Sequence, residues 1–164
     1  MRIEVPLDSK ALLKLAAFFA KEEGTCLLYS GGNFDSATHS FLFLFPFEHI
    51  EIHDETNPWE LLKQKIILDS FWVGFLTYEF GSKTVKQAIP AAYFQKSAFV
   101  LVFDHKNNRA TLHLQLEALP FLSQETKEWM FKFSSQDFWH TFVHSLPDIV
   151  KTCGEPVKVV KDFE

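Results

Sequence analysis

Few residues in this chain have the type and spacing to do chemistry. Ser30-Gly31-Gly32 follows an apolar run, where a serine could be exposed at a strand end. A nucleophile elbow needs glycine two positions before the serine, and Leu28 stands there, so Ser30 suits a turn cap or a hydroxyl offered to a ligand. Gly31-Gly32-Asn33 is too short to cradle phosphate, because no Lys-Ser or Lys-Thr follows. His140 and His144 are four apart and can share a helix face, but Thr141 replaces the glutamate of a zinc-protease helix and no third ligand follows. His49 and His53 share a strand face and read as surface residues. Asp104-His105 could form an acid–base pair, but aspartate at a turn ordinarily accepts from the local backbone. Glu79 after Tyr78 suits a solvated strand end. Cys26 and Cys153 offer neither a disulfide framework nor a metal set, as for reduced thiols in the cytoplasm. No nucleophile–base pair, carboxylate pair or metal cluster emerges, so no catalytic residue and no cofactor are expected in this chain.

The elements that would position these residues follow from periodicity. Residues 8–23 predict a helix capped by Asp8 or Ser9, with Leu12, Leu15, Ala16 and Phe19 as its stripe and Gly24 at its end. Strands are predicted over 25–30 and 38–45, the second apolar on both faces. Pro46 should stop or bend it, and residues 48–53 could pair back onto it. Asn57-Pro58-Trp59-Glu60 signals a helix start, with Glu60 placed to bond back to the cap, running to about Leu68. Residues 71–78 predict a strand in which Gly74 implies a bulge or a close backbone approach. Residues 97–104 and 109–116 predict a hairpin whose second strand has one wet face. Helices are expected to start at Ser123 and within Ser134–Asp137, and Pro147 should interrupt the second.

Composition bounds the function classes. The 164 residues suit one domain, and 19 of them are Phe, rings that favour pleated, half-buried surfaces. The net charge of −5, with no Lys/Arg cluster, lacks the electrostatic footprint of a nucleic-acid binder. No apolar run has the length of a membrane span, and Glu4 and Asp8 interrupt the start, unlike a signal peptide. A cytoplasmic protein is expected, with neither nucleic acid nor membrane as partner.

Several segments, in order, resemble the chorismate-utilising synthases: component I of aminodeoxychorismate (para-aminobenzoate) synthase and of anthranilate synthase. Leu27-Leu28-Tyr29-Ser30 is similar to the family's Leu-Leu-Glu-Ser strand. His39-Ser40-Phe41-Leu42 with Pro46 resembles its Tyr-Ser-Phe segment, and Asn57 to Leu62 resembles the helix that follows. Gly74 to Glu79 resembles Gly-x-x-Gly-Tyr-Asp, and Phe99 to His105 resembles the strand ending in Phe-Asp-His. Phe138 to Val160 faintly resembles the opening of the catalytic domain. Tyr29, Phe43, Thr77, Glu79 and Lys158 depart from the family pattern, which is closest to the aminodeoxychorismate branch.

The resemblance implies an α+β fold, with antiparallel sheets packed as a sandwich and helices outside. It assigns residues 1–133 to the N-terminal region of component I and 134–164 to the start of a chorismate-binding domain. That domain would carry the chorismate site, the Mg²⁺ carboxylates and the catalytic lysine, and a glutamine amidotransferase subunit would supply ammonia. It also implies a pocket for tryptophan, or a similar small aromatic amino acid, lined by Ser30, His39, Ser40 and Phe41. The N-terminal regulatory region of anthranilate synthase, a stand-alone amino-acid sensor and a structural module are the alternatives; a metal enzyme using His140 and His144 is a more distant one.

Overall fold

The computed structural model describes residues 1–30, 38–53, 57–66, 70–78, 80 and 89–147. The segments holding Gly31–Asn33, Glu79 and Cys153 lie outside the described residues. Among the described residues, six strands form one open antiparallel sheet: β1 (Arg2–Val5), β2 (Cys26–Leu28), β3 (His39–Ile52), β4 (Trp72–Leu76), β5 (Ala92–Asp104) and β6 (Arg109–Leu114). The spatial order is β1-β6-β5-β3-β2, and β4 pairs with the first half of β5. Four α-helices among the described residues accompany it: α1 (Ser9–Phe18), α2 (Pro58–Lys65), α3 (Gln124–Phe133) and α4 (Gln136–Ser145). A short 3₁₀ helix spans Leu116–Phe121. No helix among the described residues is long and apolar enough to cross a membrane.

The α+β class and the antiparallel pairing agree with expectation, but the described strands make a single sheet in place of a packed pair. The reason lies at Pro46. The chain does not turn back there. Phe45 takes φ 57°, the register slips between Pro46 and Glu48, and the strand continues, so that Glu48–Ile52 pair with Tyr93–Lys96 and Ala92 of β5. A bulge tolerates a proline, which has no N–H to give to the ladder. The first half of β5 escapes the sequence pattern because Gln95, Lys96 and Ser97 interrupt its apolar run, although all three are buried.

Alternation along β3 divides the core. Leu42 and Leu44 join Phe99, Leu101, Phe103, Ala110, Leu112 and Leu114 beneath α1, α3 and α4. Phe43 faces the other way, with Val73 and Val100, and Phe41 packs at the margin of that group. A separate cluster at the far end joins Ile50, Ile52 and Ala92 to Leu62 of α2. The abundance of Phe is spent mainly on the first face. Phe19 meets Phe45 at 5.5 Å and Trp129 at 5.3 Å between centroids, while Phe99 meets Phe45 at 5.0 Å and Phe133 at 5.6 Å, mostly edge to face. Burial of each such ring contributes about 1.5–3 kcal/mol, and the edge-on geometry adds to it.

Local chemistry sets the element ends. The Asp8 side chain caps α1 by accepting from the Ala11 N–H, and Ser123 and Ser135 cap α3 and α4. At α2 the expected capping box is absent: Asn57 makes no side-chain cap bond, and Glu60 accepts from Lys63 instead. Helix α1 stops at Phe18, short of Gly24, which takes φ 73° and packs so closely on the Pro46 ring that a Cβ would overlap it. Gly74 has the close approach expected of it, since a Cβ there would fall on the Tyr93 carbonyl. The expected division between residues 133 and 134 falls between α3 and α4, whose buried side chains Met130, Phe133 and Trp139 share one cluster.

Candidate functional site

Two of the expected site residues, Ser30 and Ser40, meet where β3 begins beside the ends of β2 and β5. Ser40 is fully buried at the start of β3. Its Oγ accepts from the Ser30 N–H at 2.9 Å and lies 2.7 Å from His105 Nε2. His105 is held in turn by its own N–H donating to the Thr38 carbonyl at 2.9 Å. Its ring meets Phe103 at 4.9 Å and Tyr29 at 5.9 Å, edge on. Ser40 thus joins three strand ends through one hydroxyl.

His39 and Phe41 do not belong to this group. A strand sends successive side chains to opposite faces, so the neighbours of Ser40 project from the other side of the sheet. There His39, Phe41 and Phe43 form a ladder of rings, with centroids 6.3 Å apart at each step. His39 Nδ1 lies 2.9 Å from Thr38 Oγ1, and its Nε2 lies 4.0 Å from the Asp104 carboxylate. The expected four-residue pocket is therefore split. Ser30 and Ser40 meet on one side, with Ser30 taking part through its backbone, and His39 and Phe41 lie on the other.

A serine hydroxyl 2.7 Å from an imidazole is the spacing of a nucleophile and its base, but two features argue against that role. Ser40 is wholly buried, and its oxygen is already engaged by the Ser30 N–H. The adjacent carboxylate does not orient His105 either. Asp104 accepts from the Asn107 side chain at 2.7 Å and from the backbone N–H groups of Lys106 and Asn107. Those bonds, the Asn107 side chain first, hold its carboxyl below the usual carboxylate value, the ordinary behaviour of a turn aspartate. Burial raises the thiol of Cys26, which disfavours the reactive thiolate. The arrangement serves as a structural clamp.

Sequence reasoning considered His105 only beside Asp104 and missed its tie to Ser40, which is 65 residues away in the chain and has no local signature. It also missed Lys96. That ammonium is nearly enclosed, 2.5 Å from Glu117 and over the rings of Phe47 (5.6 Å) and Trp72 (5.9 Å). Its signal was a polar run opposite a proline. His49 stacks on Tyr93 at 6.3 Å and His53 lies 3.5 Å from Glu51, on the exposed surface expected of them. His140 and His144 do share a face of α4, where they line a cleft with α1. Among the described residues, no group of three or more His, Cys, Asp or Glu side chains is placed to hold a metal ion. Neither a scan of protein-family models nor a search of curated proteins returned a match.

Proposed function

We propose that this chain is the non-catalytic N-terminal region of an aminodeoxychorismate (para-aminobenzoate) synthase component I, part of an enzyme that aminates chorismate for folate biosynthesis. One observation carries the reading. The resembling segments at Leu27–Ser30, His39–Leu42, Gly74–Tyr78 and Phe99–His105 fall on β2, β3, β4 and β5 or at their ends, side by side in one sheet. Ser40, inside one of them, is bonded to Ser30 and His105, the last residues of two others. A set of short motifs gathered in space supports common ancestry better than the same motifs scattered through a fold. On this reading the Mg²⁺ site and the chorismate site come from a C-terminal domain, ammonia comes from a glutamine amidotransferase subunit, and the location is the cytoplasm. No step of the amination falls to a residue of this chain.

The test is complementation. The chain is mixed with a separately produced chorismate-binding domain of such a synthase. The two should associate in sedimentation, and with ammonia and Mg²⁺ only the mixture should form aminodeoxychorismate at an enhanced rate. Product from this chain alone, or no association with the domain, would overturn the proposal.

A second reading, a stand-alone aromatic amino-acid binder, is favoured by the ring ladder His39–Phe41–Phe43. Calorimetry with tryptophan decides it. Binding weakened by Phe41→Ala supports a pocket on that face, and no heat with any aromatic amino acid rejects it.

A further inference from the structure

We propose that the cleft between α1, α4 and the β5–β6 turn binds a small carboxylate with an apolar body. The cleft encloses about 790 Å³, within the ~300–1,000 Å³ usual for small-molecule sites. Its floor is apolar: Val5, Leu7, Ala11 and Ala110 are buried there, with Val143 beside them. Its rim is cationic. Lys10 and Lys14 stand one turn apart on α1, His140 and His144 one turn apart on α4, and Arg109 opens β6 across from them.

Among the described residues, these charges face the cleft. Glu4 comes from β1 and Asp8 precedes α1; Lys10, Lys14, Arg109 and the two histidines complete the set. Asp8 is committed to its helix, accepting from the Ala11 N–H at 2.7 Å. Lys14 and Asp8 each have a partner already, which leaves Lys10 and Arg109 facing Glu4 in a chain whose net charge is −5. The side chains of Lys10, Arg109, His140 and His144 make no hydrogen bond or ion pair with a partner among the described residues. Cations held around an apolar floor suit an anion that also carries apolar surface. A guanidinium fork matches a carboxylate in two hydrogen bonds. The same cations repel a metal ion, which argues against reading His140 and His144 as metal ligands.

Benzoate is the probe, titrated into the full chain while the imidazole NMR signals are followed. The His140 and His144 signals, assigned with His→Gln variants, should both move and saturate. Arg109→Gln should weaken binding about tenfold, the loss of one charge-assisted pair. Unmoved signals would overturn the proposal. So would equal binding of benzylamine, which has the wrong charge, or of inorganic phosphate, which has no apolar body.

Discussion

At the scale of single residues, Ser40 is the most consequential polar group in the sheet. A buried hydroxyl with two partners has little net energy to give, but its removal strands both of them. Ser40→Ala leaves the Ser30 N–H and the His105 ring without their mutual acceptor and partner. The expected cost is about 1–3 kcal/mol, the desolvation penalty of the groups left behind. Urea unfolding measures it, and the His105 ring resonance should shift in the same variant. An unchanged unfolding midpoint would mean that the clamp is idle. Ser40 itself was legible as a site residue in the sequence. Its role was not, because the partner that defines it comes from the end of β5 and no local spacing connects the two.

At the scale of elements, the chain shows how a few side chains dock whole helices. Helix α4 enters the core through Trp139, which is completely buried, stacks on Phe133 at 4.6 Å and donates its Nε1–H to the Phe133 carbonyl at 2.9 Å. That carbonyl belongs to the last turn of α3, so one indole fills the core and also satisfies a helix end. Trp139→Ala should cost about 3–5 kcal/mol and loosen α4 first, as seen by hydrogen exchange of its amides. Exchange that rises equally in all four helices would show that α4 does not open as a separate unit. The helix starts were readable from sequence: Asp8, Ser123 and Ser135 each cap as their type and position suggest. The strands were less readable. Residues 48–52 alternate well enough to suggest a hairpin, yet the bulge at Pro46 lets them continue β3, because the buried half of β5 is the better partner.

At the scale of the whole molecule, the first strand closes the sheet and brings its charge with it. Strand β1 pairs with β6, setting Arg2 opposite His113, and the terminal ammonium donates to the Leu114 carbonyl at 2.7 Å. Burial, then Arg2, then the terminal ammonium lower the His113 pKa. A histidine lowered in the folded state takes up its proton later than in the unfolded chain. Its contribution to stability is therefore present above the ordinary histidine range and is lost as the pH falls through that range toward the folded value. Denaturation midpoints should decline between about pH 7 and 5, and His113→Gln should flatten that part of the curve. A slope unchanged by the substitution would place the linked proton elsewhere.

The sequence by itself determined the class of the fold, the helix starts, the β5–β6 hairpin and the close contact at Gly74. Each of these depends on neighbours within a few positions, through caps, alternation or the room a missing Cβ leaves. Only the tertiary structure decided that the strands make one sheet, that Ser40 joins Ser30 and His105, and that His39 and Phe41 lie on the opposite face. The side-chain period of a strand is two, so adjacent residues that look like one site in the chain are separated by the thickness of the sheet. The partners that replace them arrive from strands whose pairing no local pattern specifies.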